Sequence, residues 1–367
     1  MKRKTIHTKG QPSGMTCLHK AEISATVIRN DSHDDGILRS IKAVLLNTLL
    51  TCLAFSMIYS CRKEAQDTVS GDTPTVTTKV NITSRSESPA MNADIFTFSS
   101  RYDEELDSYQ RCKSGHSFNV ISRNEGRKVL VLANNNVEDY KWNSISSYRA
   151  ICNYIVNLAD DDPICPIMSG EGINRKTGDI DINLEKVMSE VCIQSLRCEF
   201  NNTPSKRMDD VKVYLVNASA NCMPFAKEGG RPSSYLNEGK LKIDDLKTMQ
   251  HPEMLLQEIP ESVGPEGIKD EVKLYCYPNM TKEEGPGTPL TRLVIECKID
   301  GQTWFYPISI NHSNNGIGIE RNKRYIYNIH IKSTGADDPD TDISPIQADI
   351  NSKLEDWEVR DEKEIIY

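Results

Sequence analysis

The sequence contains no G-x-S-x-G, H-E-x-x-H, P-loop or G-x-G-x-x-G stretch, so the local signatures of several large enzyme classes are missing. Histidine is scarce. Beyond residue 61 only His116, His251, His312 and His330 occur, no two of them close together. Tryptophan is scarcer still: Trp142, Trp304 and Trp357 are the whole supply for an aromatic platform of the kind on which sugar rings stack. Positive charge is in deficit, with 44 Lys/Arg against 53 Asp/Glu and a net charge of -9, which disfavours nucleic acid as a partner because its phosphates attract basic surfaces. No C-x-x-C occurs, and neither acidic turn (Asp160-Asp161-Asp162 or Asp337 to Asp342) has the spacing of a calcium-binding EF-hand loop. The expectation is a protein that is not an enzyme, with no cofactor, no metal and no nucleic acid.

What is present is enough chain for a packed core. At 367 residues, 38% of them apolar and 26% charged, the length suits two domains. The charge is uneven. Residues 1–60 carry 8 Lys/Arg against 4 Asp/Glu, while the rest carries 36 against 49. Arg39 and Lys42 precede an uncharged run of 18 residues ending Ile58-Tyr59-Ser60, followed by Cys61. A basic flank and an apolar centre form a secretory signal peptide. The small residue before a cysteine resembles the lipobox of bacterial lipoproteins, which implies cleavage between Ser60 and Cys61 and lipidation of Cys61. Cys52 is a weaker candidate because it lies inside the apolar run. The alternative is a retained membrane helix, since 18 residues just span a hydrocarbon core of about 30 Å; Asn47, Thr48, Thr51, Ser56 and Ser60 make it a poor one. The first 36 or so residues are either an unusually long basic leader or a start placed too far upstream, the second being favoured.

Residues 61–74 are polar and turn-rich, the composition of a tether. Alternation then predicts strands at Val76–Ile82, Ile95–Ser99, Lys128–Ala133 and Val191–Phe200. One helix interrupts them, from the three- and four-residue spacing of Ile145, Tyr148, Ile151, Cys152, Ile155 and Leu158. A polar stretch at Asn201–Asp210 reads as the connection between domains. Strand patterns resume at Val211–Leu215, Val272–Cys276, Leu293–Ile299, Trp304–Ile310 and Tyr325–Ile331. Asp300-Gly301 is a tight hairpin turn, and Pro307 demotes its strand to a sheet edge or a bulge. The fold class is mainly β, with two tandem β-sandwich domains, residues 75–205 and 206–367, and a short helical insertion in the first. The leader occupies 1–60 and the tether 61–74. Eight cysteines lie beyond Cys61; buried free thiols and disulfides are both open readings, the first favoured in a chain too large to need staples.

An ordered set of short motifs is similar to the fimbrillin superfamily of Bacteroidota, the lipoprotein subunits of type V pili. It consists of Cys61 after the leader, Val129–Ala133 with Asn134-Asn135-Asn136, Met168-Ser169-Gly170-Glu171, Val213–Asn217, Tyr277-Pro278-Asn279, Phe305-Tyr306-Pro307, Arg321-Asn322 before Tyr325, and Trp357. Met168–Glu171 and Arg321–Tyr325 are the most telling pair. The resemblance implies transthyretin-like sandwiches, a lipid anchor in the outer membrane and a surface-exposed fimbrium. Its implied partners are other pilin subunits joined by strand exchange, together with host or bacterial surface ligands. In that family a trypsin-like protease cuts after an arginine beyond the first strand, and the C-terminal segment of the next subunit fills the groove. Arg85 fits that arginine, with Arg101 as competitor, and Ile346, Ala348, Ile350 and Leu354 give the C-terminal stretch strand alternation. The rival reading is a lipid-anchored surface glycan-binding lipoprotein.

Overall fold

The computed structural model describes residues 76–84, 90–99, 104–122, 127–135, 142, 145–174, 179–200, 203, 205–226, 229–311 and 318–357. The chain divides into two units, Met1–Asp72 and Thr73–Tyr367, and every described residue lies in the second. Ser60, Cys61, Arg85 and Arg101 fall outside the described residues. No helix among the described residues is long and apolar enough to cross a membrane.

The chain is mainly β. Its first strands are β1 (Val76–Ser84), β2 (Ala90–Ser99), β3 (Leu106–Gly115), β4 (Ser117–Ser122) and β5 (Arg127–Ala133), followed by a two-residue β6 (Val156–Asn157), β7 (Met168–Asn174), β8 (Ile180–Lys186) and β9 (Ser189–Cys198). Next come β10 (Asp209–Val216) and three short pieces, β11 (Ala218–Ser219), β12 (Asn221–Cys222) and β13 (Tyr235–Leu236). The last are β14 (Leu256–Ile259), β15 (Val272–Cys276), β16 (Arg292–Ile299), β17 (Gln302–Ser309), β18 (Lys323–Ile331) and β19 (Ala348–Asp356).

A seven-stranded sheet takes the order β3-β2-β5-β7-β8-β1-β4. One face of each long strand is apolar, so Val80, Ile82, Ile95, Val131, Ile182 and Leu184 gather into a closed cluster. β7 and β8 pair only at Met168↔Lys186 and Ser169↔Glu185. Gly170 and Gly172 permit the close approach: a Cβ on Gly170 would stand 2.5 Å from the Asn183 carbonyl oxygen, and one on Gly172 2.9 Å from the Ile180 side chain. At both glycines the requirement is for space.

Two four-stranded sheets follow, β14-β10-β16-β17 and β15-β9-β18-β19. Val213, Leu215, Ile295 and Tyr306 of the first share one large core cluster with Ile193, Leu274, Tyr325 and Ile329 of the second. Asp300 (φ 54°) and Gly301 (φ 81°) make the turn between β16 and β17, and Pro307 sits on the edge strand β17, as its missing N–H requires. β9 was expected to close the first domain, yet it pairs with β15 and β18; the sheets change over between Lys186 and Ser189, not at residue 205.

The predicted helix is largely corrected. Only Tyr148–Cys152 is α-helical, with Ser147 Oγ capping the Ala150 N–H, and Val156–Asn157 instead pairs with Asn221–Cys222. Ile145, Tyr148, Ile151 and Leu158 do face the core, but Ile155 is 44% exposed. The apolar spacing reflected burial by an irregular segment, and tertiary pairing overrode a weak helix signal. Cys112, Cys192, Cys198, Cys222, Cys276 and Cys297 are buried free thiols, in line with the favoured reading.

Candidate assembly site

The first strand is not at an edge. β1 runs parallel to β8 (Val80↔Ile180 to Ser84↔Leu184) and antiparallel to β4 (Val76↔Ser122 to Asn81↔Ser117). Thr78, Val80 and Ile82 point into the smaller cluster at 6%, 0% and 3% exposure, between Val120 and Ile182, while Thr77, Lys79 and Thr83 face outward. Were β1 to leave, β4 and β8 would face each other across two strand spacings, about 9–10 Å, over an apolar floor. Such a gap exposes backbone N–H and C=O groups on both sides, and only another extended strand satisfies both rows.

At the other end of the chain, β19 is an edge strand paired only with β18, from Lys323↔Asp356 to Ile331↔Ala348. Its core-facing residues are poorly covered: Ile350 is 36% exposed and Leu354 43%. Burial is confined to its two ends, Ala348 and, just beyond the strand, Trp357. The Trp357 ring stacks on Tyr275 at 5.6 Å, the Lys186 ammonium lies 3.8 Å from the ring centroid, and the backbone N–H of Trp357 donates to the Asn322 carbonyl. Burial pushes the Lys186 ammonium down to about 8.

The two most telling motifs come together. Arg321 donates to Ser169 Oγ at 2.8 Å, to the Pro224 carbonyl at 2.6 Å and to the Glu185 carbonyl at 2.9 Å, and Ser169 Oγ itself donates to the Pro224 carbonyl. Burial lowers the Arg321 guanidinium below its ordinary value, with the Glu185 carboxylate opposing. Tyr325 accepts from the Glu320 N–H at 2.8 Å and donates to Gly318. Apart from the Ser169 hydroxyl that Arg321 reaches, the partners are backbone groups, the chemistry of a structural joint. The joint borders a cleft of about 980 Å³ that also meets Glu171, Asp181, Lys323 and Asp356.

Asp161, read from the sequence as part of a solvated acidic turn, is buried. Its carboxylate accepts from Tyr277 Oη (2.9 Å) and from the Asp162 (2.9 Å) and Ile167 (3.0 Å) N–H groups, and desolvation still pushes it up to about 6. Among the described residues no group of three His, Cys, Asp or Glu is placed to hold a metal ion. Trp142 and Trp357 are buried and Trp304 is half-buried, so none presents the open face a sugar platform needs.

No protein-family model matches this chain, and no curated protein does. Solved structures do. A proposed cell adhesion protein from Bacteroides eggerthii aligns over 79% of this chain and 97% of its own at 15% identity, with a TM-score of 0.61. A fimbrilin from Porphyromonas gingivalis aligns over 78% and 99% at 14% identity, TM-score 0.56. The tip fimbrial protein of the same organism, solved with a C-terminal truncation, aligns over 77% and 100% at 15% identity, TM-score 0.51. The fold of this chain is thus similar to that of these fimbrial and cell adhesion proteins of Bacteroidota.

Proposed function

We propose that this chain is a structural and adhesive subunit of a cell-surface type V pilus, exported as a lipoprotein with its anchor at Cys61 and assembled by strand exchange. The observation that carries the reading is the position of β1, a strand at the start of the described chain that is paired on both sides and floored by the apolar cluster. Processing after Arg85 would free it without cutting the rest of the sheet. The likeness in fold to fimbrilins and a fimbrial tip protein supports the same reading. On this reading the seven-stranded sheet and the pair of four-stranded sheets are two β-sandwich domains in tandem. The protein works on the outer face of the outer membrane, with other pilin subunits as partners.

Cleavage by a trypsin-like protease, followed by size-exclusion chromatography and electron microscopy, tests it. The cut protein should lose residues up to Arg85 and form higher oligomers. Arg85→Ala should stay intact at that position, and deletion of Ile346–Tyr367 should block growth in a variant whose circular dichroism remains native. A cut protein that releases β1 and stays monomeric, alone and with other subunits, would overturn the proposal. The anchor is tested separately: a fatty-acid analogue should label the wild type and fail to label Cys61→Ala.

A further inference from the structure

We propose that Trp357 is a latch holding the C-terminal strand in its own sheet, and that its keeper, Lys186, couples the latch to the occupancy of the β1 position. This deepens the reading of the chain as an assembling subunit and rests on it for its purpose, though not for its test. Between Ala348 and Trp357, β19 has no buried side chain, and beyond the ladder to β18 it is held by the solvent-facing ion pairs Lys323–Asp356 and Lys332–Asp349, which contribute little against fraying. The indole supplies what the strand lacks. It is 9% exposed, stacked on Tyr275 of the opposite sheet edge β15 and capped by the Lys186 ammonium, while the backbone N–H of the same residue donates to the Asn322 carbonyl.

The keeper belongs to a strand with two duties. Residues Ile180–Leu184 of β8 carry β1, while the next two residues hold the C-terminal side: the Glu185 carbonyl accepts from Arg321, and Lys186 caps Trp357. Lys186 is itself 8% exposed and is placed by pairing with Met168. When β1 departs, β8 becomes an edge strand whose one remaining neighbour is β7, paired only at Met168↔Lys186 and Ser169↔Glu185. An edge held by two residue pairs, the adjoining Val187 N–H to Ile167 carbonyl bond and the Arg321 bond to Glu185 has lost its longer ladder, to β1, and populates displaced positions more often; each displacement moves Lys186 off the indole. A subunit whose acceptor position is filled therefore keeps its C-terminal strand parked, and one whose position is open releases it. Both ends of the chain change state together, which is what linkage between two sites requires.

Hydrogen exchange on the intact, uncleaved protein tests the latch, so its outcome does not depend on polymerisation. Trp357→Ala should speed exchange of the β19 and β18 amides at least tenfold while leaving β10 and β16 unchanged; Lys186→Met, which keeps the chain length and removes the charge, should give a smaller rise in the same amides. Loosening β1 by Ile82→Ala should speed β19 exchange as well, and should add nothing further in the Ile82→Ala/Trp357→Ala double variant. Unchanged β19 exchange in Trp357→Ala, or a rise of equal size in β10 and β16, overturns the latch. Unchanged β19 exchange in Ile82→Ala, or fully additive effects in the double variant, overturns the coupling. If both hold and cleaved protein still fails to polymerise, the latch stands and the pilus reading falls.

Discussion

Arg321 donates to Ser169 across 152 residues of sequence, with 2.8 Å between its guanidinium and the Ser169 hydroxyl. The same guanidinium reaches two carbonyl oxygens, one on β8 and one at Pro224. Ser169 lies on β7 of the seven-stranded sheet, and Arg321 leads into β18 of the later one, so one side chain bolts two sheets together.

Truncating that side chain should be costly. Arg321→Ala leaves the Glu185 carbonyl and the buried Ser169 oxygen without this donor, and the Pro224 carbonyl with only the Ser169 hydroxyl, and a hydrogen bond to a charged group contributes about 1.5–3 kcal/mol. With partial rehydration, a loss of about 3–5 kcal/mol is expected in urea unfolding. Arg321→Lys should recover only part of it, because a single ammonium cannot reproduce the fork. A loss under about 1 kcal/mol would mean the bonds do not bear on stability.

Gly170→Ala should destabilise through the Asn183 carbonyl, which lies 2.5 Å from where the new Cβ would sit. Backbone on a packed strand cannot move aside as a flexible side chain does, so the cost belongs with overpacking, about 1–3 kcal/mol. Thermal unfolding of Gly170→Ala beside Gly301→Ala, where nothing lies within 4 Å, separates lack of space from turn strain. No loss of stability in Gly170→Ala would contradict the packing account.

Much of the sheet structure was legible because alternation survives wherever one face is buried. β5, β10, β16 and β18 each bury every second residue or more, and their patterns predicted them. β8 alternates as strictly, with Ile180, Ile182 and Leu184 buried and Asp181, Asn183 and Glu185 exposed, and period-2 counting over 180–186 would have found it. β4 was harder, since only Val120 and Ser122 are buried at its sheet edge. The Ser169–Arg321 joint had no local signal at all beyond the motif resemblance, because hydrogen bonds between distant segments leave no periodic trace. The true partners of β9 were hidden for the same reason: a strand's pattern says which face is buried, never which sheet it joins.

Asp161 makes the pH dependence of stability directional. Its carboxyl sits at about 6 in the folded protein against about 3.9 in an unfolded chain, so the folded state binds the extra proton. A raised carboxyl contributes stability that is fully present below about pH 3.9 and is lost as pH rises through about 6, roughly 3 kcal/mol at most. Asp161→Asn keeps an acceptor for the Asp162 and Ile167 N–H groups while removing the titration. Subtracting its unfolding free energy from the wild type's at each pH should give a curve that falls between pH 4 and 6 and is flat above 7. A flat difference throughout would show that Asp161 titrates normally.

Lys79 and Asn119 lie opposite each other on the outward face of β1 and β4, and that pair allows the exit of β1 to be controlled. Directly opposed residues on antiparallel strands place Cβ atoms about 4.5–5.5 Å apart, and bridging them needs a small further approach at this outer strand pair. Lys79→Cys/Asn119→Cys should therefore form a disulfide on oxidation. Interference from Cys192, Cys198, Cys276 and Cys297 is limited by burial, which pushes the first two up to about 11 and the last two up to about 12, leaving little reactive thiolate at neutral pH. After protease treatment the oxidised double variant should keep β1 tethered to β4 and remain monomeric, because a strand that cannot diffuse away continues to satisfy both neighbouring rows of backbone groups. Adding reductant to the same sample should restore oligomer growth to the wild-type rate, read by light scattering. Growth of the oxidised, cleaved protein at the wild-type rate would place the acceptor surface somewhere other than between β4 and β8, since in that state no incoming strand has room to enter there.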